Sequence, residues 1–186
     1  MNILAYIVIT FLLSLVPFSV ALSSSVYRCI VWKEAFRIGL VFALVQAIMI
    51  ILGWLIGFAV KGMLYSMATP VAAFIIFLVG ARIFLDAVRL GREQRTMAVE
   101  NNRILLGFAF VTSINTLLLG MGMGIIYKEP LVIAGLMAGM VFFLTIIGIQ
   151  AGKRGMMNLG RTAESLSGAG LVMISIVIVL QYLKIF

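Results

Sequence analysis

Six long apolar segments constrain this chain more than any other feature of its sequence. They run approximately over Ile3–Leu22, Ala35–Ala59, Ala68–Val88, Ile104–Ile126, Leu131–Ala151 and Ser165–Leu183. A helix of about 20 apolar residues crosses the hydrocarbon core of a bilayer and satisfies its own backbone hydrogen bonds. Transmembrane strands would be shorter and would alternate in polarity. The sequence therefore predicts an all-α, polytopic membrane protein with six transmembrane helices.

The composition agrees with a membrane fold. Apolar residues make up 64% of the chain and charged residues 11%, whereas soluble domains are about half apolar and about a quarter charged. The 186 residues leave room for six crossings joined by short loops. We therefore expect a single membrane domain over 1–186, with the lipid bilayer as its main partner.

Basic residues are distributed unequally between the two sets of loops. Ten lie around the loops after the first, third and fifth segments, and three lie on the opposite side. Because lysine and arginine favour cytoplasmic loops, this asymmetry predicts that both termini lie outside the cytoplasm. It also accounts for the net charge of +8, so we expect no nucleic-acid partner. The ten are Arg28, Lys33, Arg37, Arg89, Arg92, Arg95, Arg103, Lys153, Arg154 and Arg161; the three are Lys61, Lys128 and Lys184.

The two halves of the chain share a pattern. Gly53-Trp-Leu-Ile-Gly57 in the second segment recurs as Gly148-Ile-Gln-Ala-Gly152 in the fifth. The first and fourth segments each carry a central polar break, at Ser14–Pro17 and Thr112–Thr116. The alternative is that unrelated apolar helices simply look alike.

Three helices per half is an odd number, so related halves would face opposite ways across the membrane. Such inverted repeats are a common transporter plan, with the substrate site at their interface near the midplane. The predicted parts are repeat 1 over about 1–91, a cytoplasmic linker over about 91–103 and repeat 2 over about 104–186.

The fourth segment has the strongest polar signal. Thr112, Ser113, Asn115 and Thr116 lie close to its middle, where polar side chains usually face a partner helix or a cavity. They form either a substrate-coordinating patch, with Asn115 as a candidate metal ligand, or a set of hydrogen bonds between helices.

Two other segments carry polar features at similar depth. Pro17 lacks an N–H, so it frees the carbonyl of Leu13 one turn earlier, beside Ser14. A freed carbonyl near the midplane can ligate a cation, although neighbouring groups can also re-satisfy it. Gln46 either faces the same cavity as Asn115 or bonds to another helix.

Arg82 and Asp86 are spaced i, i+4 in the third segment, which puts them on one helix face. We expect them to be the only buried charges, with Asp86 as the only buried carboxylate. They form either a structural ion pair or a pair that gates transport or couples it to protons.

Catalysis is not expected. The chain has no histidine and a single cysteine, Cys29, which removes the commonest general base and any cysteine metal cluster. The carboxylates are few and dispersed. We therefore predict that the protein is not an enzyme and uses no cofactor.

Several of these motifs together resemble the bacterial manganese efflux pumps of the lysine exporter superfamily. The resemblance implies a small secondary transporter of the bacterial inner membrane that exports manganese(II). It covers nearly the whole chain and rests on Ser14-x-x-x-Phe18, Thr112-Ser-Ile114, Arg37-Ile-Gly-Leu40 with Gln46 and Gly53-Trp54, and Gly80-Ala-Arg-Ile83 with Asp86.

This chain departs from the family at its acidic positions. The family typically has Ser-Met-Asp-Ala-Phe in the first helix and Ser-Ile-Asp-Ala in the fourth, where this chain has Val16 and Asn115. A third family acid corresponds to Thr69. Since carboxylates offset the charge of a divalent cation, two alternatives stay open. One is an exporter of a neutral or zwitterionic solute such as an amino acid, and the other is a non-transporting membrane scaffold.

Overall fold

The computed structural model describes residues 3–26, 30–64, 67–89, 102–126, 130–155 and 157–183, and these ranges contain six α-helices and no strand. Each helix contains a stretch long and apolar enough to cross a membrane. The all-α, six-helix prediction is therefore confirmed. Most of the predicted linker, 91–101, lies outside the described residues. The helices are α1 Ile3–Val26, α2 Trp32–Leu64, α3 Ala68–Arg89, α4 Asn102–Ile126, α5 Pro130–Lys153 and α6 Met157–Tyr182.

The sixth helix begins earlier than its apolar stretch. It starts at Met157, although hydropathy placed its start at Ser165. The turn before it contains Gly155 with φ of 74°, a backbone conformation that glycine adopts without strain. Polar residues are compatible with helical backbone, so the apolar stretch marked only part of the helix. As a result, Glu164 lies inside α6.

Glycines bring α2 and α4 into backbone contact. A Cβ atom added at Gly53 would overlap the carbonyl oxygen of Leu117, and one added at Gly57 would overlap that of Met121. The residue numbers of the two contacts increase in the same direction along both helices, so α2 and α4 run parallel. Small residues at such positions let membrane helices approach closely, which strengthens their van der Waals packing.

The same arrangement recurs between α1 and α5. A Cβ atom added at Gly148 would lie 2.6 Å from the carbonyl oxygen of Phe18, and one added at Gly152 would overlap the carbonyl oxygen of Leu22. Again two glycines four residues apart meet two carbonyls four residues apart. These helices are therefore also parallel.

The third and sixth helices cross in opposite directions. A Cβ atom added at Gly80 would lie 3.0 Å from the carbonyl oxygen of Gly168, and one added at Gly168 would lie 2.8 Å from that of Gly80. Gly80 also approaches Val172, while Gly168 approaches Phe84. The α6 residue with the higher number contacts the α3 residue with the lower number, so the two helices are antiparallel.

These contacts are the ones expected of an inverted repeat, in which α1, α2 and α3 would correspond to α4, α5 and α6. The register that matches Phe18 with Leu117 and Leu22 with Met121 also matches Val16 with Asn115. The inverted repeat itself stays a prediction.

The first helix is the most enclosed element. Its span is 72% buried, whereas the spans of the other helices are between 39% and 47% buried. It packs mainly against α5 and α6. Polar side chains on α1 therefore face protein rather than lipid.

We expect Gly53→Ala to destabilise the bundle, because its methyl group would collide with the backbone of α4. Overpacking of this kind costs about 1–3 kcal/mol. Gly62→Ala is the matched control, since nothing lies within 4 Å of a Cβ atom there, and it should leave stability unchanged or slightly higher. Thermal unfolding of the detergent-purified variants measures both effects. Equal melting temperatures for the two variants would contradict the packing described above.

Candidate functional site

Asn115 carries an unsatisfied polar atom in the interior of the bundle. The residue is 7% exposed, and its side-chain oxygen, Oδ1, has no hydrogen-bond partner among the described residues. A buried acceptor without a partner costs free energy of about 1–3 kcal/mol. The structure therefore presents an amide oxygen that could accept a cation or a donor group from a substrate.

Gln46 joins α2 to the polar patch of α4. The hydroxyl of Thr116 donates a hydrogen bond to Oε1 of Gln46, and both residues are at most 1% exposed. Thr116 directly follows Asn115 in the chain. Of the two interpretations left open for Gln46, the structure contains the bond to another helix.

The predicted hydroxyl groups are satisfied within their own helices. Thr112 donates to the carbonyl of Ala109 at 3.0 Å, and Ser113 donates to the same oxygen. In α1, Ser14 donates to the carbonyl of Phe11 at 2.7 Å. A hydroxyl that donates to its own helix keeps lone pairs for a further partner. These oxygens could therefore still coordinate a cation.

The proline break lies where α1 meets α6. The helix continues through Pro17, which cannot donate to the carbonyl of Leu13. One residue earlier, the carbonyl of Leu12 accepts a hydrogen bond of 2.5 Å from the hydroxyl of Ser167 in α6. A side chain of α6 therefore contacts the α1 backbone directly at this break.

The prediction that Arg82 and Asp86 are the only buried charges is wrong. Their side chains are 46% and 48% exposed, and Nε of Arg82 lies 4.0 Å from Oδ2 of Asp86. The buried face of α3 instead presents apolar residues such as Ile76, Val79 and Ile83. The two charges lie beside this buried face, on an exposed flank of the helix, where they form a loose pair.

A buried carboxylate that the sequence analysis missed lies in α6. Glu164 is 4% exposed, and within the described ranges it is the only ionisable side chain that is buried. Asp86 is therefore not the only carboxylate available to a buried site. The helical spacing of Gly160, Glu164, Ser167 and Leu171 could have revealed it, because i, i+3 and i+4 positions share one face.

Thr145 is a second residue that was missed. It is fully buried in α5, and its Oγ1 has no hydrogen-bond partner in the described part of the chain. It lies one turn before Gly148, which packs on Phe18, so the parallel register places it near Ser14. An isolated threonine within the apolar fifth segment was the available signal.

Oxygen atoms therefore make up the polar lining of this interior. The described residues contain no group of three or more histidine, cysteine, aspartate or glutamate side chains. The groups that could ligate a cation are amide, hydroxyl and carbonyl oxygens and, among the described residues, one buried carboxylate. Such oxygens suit hard divalent cations such as manganese, magnesium or calcium rather than soft metals.

Comparison with known proteins places this architecture in a family. A family model described as "Putative manganese efflux pump" matches residues 29–179. The chain belongs to this family. The match takes in α2 to α5 and nearly all of α6, and the family is one of transporters rather than enzymes.

Individual members are similar along most of their length. A protein of Clostridium botulinum (strain Langeland), named "Putative manganese efflux pump MntP 2", is 25% identical over 100% of this chain and 98% of its own. Relatives named "Putative manganese efflux pump MntP" include one from Rippkaea orientalis, 27% identical over 93% of each chain. Another, from Methanospirillum hungatei, is 28% identical over 81% of this chain and 79% of its own. No solved structure matches the chain.

The bond between Gln46 and Thr116 should be measurable by a double-mutant cycle. Gln46→Leu and Thr116→Val each leave the other partner unsatisfied, so each should lower stability by about 1–3 kcal/mol. The double variant should lose less than the sum, with a coupling of about 0.6 kcal/mol, the average between membrane helices, and at most about 1.7 kcal/mol. Reversible unfolding of the four proteins in detergent gives the coupling. Strictly additive losses would show that the contact contributes nothing.

Proposed function

We propose that this protein exports manganese(II) as a secondary transporter, with the buried oxygen of Asn115 as one ligand of the ion. Membership in the manganese efflux pump family supports the substrate. The observation that carries the site is the unpartnered Oδ1 of Asn115 within the bundle. A manganese ion would satisfy this oxygen, and oxygen is the ligand type that manganese prefers.

The remaining ligands would come from the polar residues near the middle of α4, α2 and α1. Ser113 and Thr112 lie on α4 within one turn of Asn115, Gln46 lies on α2 beside them, and Ser14 lies at the corresponding level of α1. These groups are neutral, so they could replace water around the ion without offsetting its charge. Arg82 and Asp86 have no part in this binding site, because they lie on an exposed flank of α3.

The tight helix pairs suggest how the site opens. Backbone contacts at the glycines join α1 to α5 and α2 to α4, so each pair would move as a unit. Ser14 belongs to one pair and Asn115 to the other. A rocking motion between the two units would expose the ion to one side of the membrane and then to the other, as alternating access requires.

The protein would lie in the bacterial inner membrane, with the basic loops in the cytoplasm and both termini outside. Trp32 and Ala35 at the start of α2 line one pocket together with Lys153 at the end of α5, so the neighbouring Lys33 and Arg37 lie at the same end of the bundle. The positive-inside rule assigns that end to the cytoplasm. Export would then carry the ion from this basic end towards the opposite one.

Manganese export is tested in a bacterium that lacks its own exporter. The wild-type chain should restore growth at high manganese and lower the cell-associated manganese. Asn115→Leu, which keeps the size but removes the oxygen, should lose most of this effect, whereas Asn115→Asp should retain it. Membrane insertion of every variant is checked by quantitative immunoblotting of the membrane fraction.

Ser175→Ala provides the matched control. Ser175 is buried in α6, but its hydroxyl donates to the carbonyl of Val172 on its own helix at 2.7 Å. This variant should export like the wild type. A wild-type chain that inserts well yet leaves cell manganese unchanged would refute manganese export, and it would favour a neutral solute or a scaffold role.

A further inference from the structure

Glu164 can be placed against α1 from the contacts on either side of it. One turn before it, a Cβ atom added at Gly160 would lie 3.2 Å from the hydroxyl oxygen of Ser19. One turn after it, the hydroxyl of Ser167 donates to the carbonyl of Leu12. Residues at i, i+4 and i+7 share one helix face. Glu164 therefore lies alongside the stretch of α1 between Leu12 and Ser19.

That stretch contains the proline break and Val16, the position to which the resemblance assigns a family aspartate. Pro17 leaves the carbonyl of Leu13 without its usual helical donor. Ser19 is 2% exposed and faces the same helix. A carboxylate from α6 thus stands at the level where α1 itself provides only a hydroxyl and a carbonyl oxygen.

A carboxylate at this depth points to a function. Acidic side chains are rare within membrane spans and usually mark ion or proton pathways. The polar residues of α4 around Asn115 carry no formal charge. Glu164 is the only buried side chain of the described residues that could neutralise part of a cation's charge.

Glu164 also lies nearer to the basic end of the bundle than Asn115 does. It is about two turns into α6, which begins at Met157, whereas Asn115 is between three and four turns into α4, which begins at Asn102. An ion that entered from the basic end would reach the level of Glu164 first.

We propose that Glu164 is the charged ligand of a cation-binding site between α1 and α6, completed by Ser19 and the Leu13 carbonyl. This site takes a divalent cation from the basic end before it passes to Asn115. The proposal rests on the proposed export of manganese for the identity of the ion. It assigns the negative charge of the site to α6, opposite the neutral stretch of α1 around Pro17.

Binding of Mn²⁺ to the purified protein is the test. Free Mn²⁺ gives an electron paramagnetic resonance signal that disappears on binding, so titration in detergent gives the dissociation constant directly. Glu164→Gln keeps the shape but removes the charge, and it should weaken binding by about tenfold or more, because ligand charge tunes the affinity of oxygen sites for divalent cations. Asp86→Asn makes the same change at an exposed carboxylate and should bind like the wild type.

Two further variants keep the test decisive. Glu164→Gln combined with Val16→Asp returns a carboxylate to the opposite wall of the site, so it should regain much of the lost affinity. Val16→Asp alone adds a second carboxylate and should bind Mn²⁺ more tightly than the wild type. It serves as the test if Glu164→Gln does not give a monodisperse protein.

The outcomes separate this site from the proposed function. A wild-type protein that binds Mn²⁺ through Glu164 but does not lower cell manganese supports the site and refutes export. Export that persists with undiminished Mn²⁺ binding in Glu164→Gln overturns the site and leaves export standing. A wild-type protein that binds no Mn²⁺ also overturns the site, as does unchanged affinity in Val16→Asp when that variant serves as the test.

Discussion

Direct contact between helix backbones at glycines is the interaction on which the rest of this bundle depends. In a bilayer, lipid tails are as apolar as leucine side chains, so helices associate through close van der Waals packing and hydrogen bonds rather than through the hydrophobic effect. Gly53 and Gly57 bring α4 against α2, and Gly148 and Gly152 bring α1 against α5. These contacts help to keep the polar breaks of α1 and α4 inside the protein. Without such packing, the polar groups would face lipid.

Enclosure changes what each polar group can do. The Gln46–Thr116 contact satisfies two side chains against each other, so it serves as a link between helices. The oxygens Oδ1 of Asn115 and Oγ1 of Thr145 remain without such a link in the described chain. Unsatisfied acceptors are costly in an apolar interior, and groups of this kind are expected where a substrate takes the place of a protein partner.

The sequence predicted the number and type of the helices because hydropathy and length report directly on contact with lipid. The positions of Asn115 and Gln46 near the centre of their helices also followed from the sequence. The i, i+4 spacing correctly put Arg82 and Asp86 on one face, but only the packing of α3 decides that this face points outward. Glu164 was missed because it lies near the polar start of α6, which is helical but precedes the apolar window that marked the helix. The inverted repeat and the membrane orientation stay predictions.

Glu164, the single buried carboxylate among the described residues, has an electrical consequence. A divalent cation held by Glu164 and otherwise neutral oxygens carries one uncompensated positive charge. Outward movement of that charge opposes a membrane potential that is negative inside, at about 2.3 kcal/mol per elementary charge for each 100 mV. Export through such a site would be voltage-sensitive, and it would draw on a second gradient unless the ion leaves together with an anion. A site built with two carboxylates would be neutral when loaded, and the potential would then act on the return of its empty, doubly negative state instead.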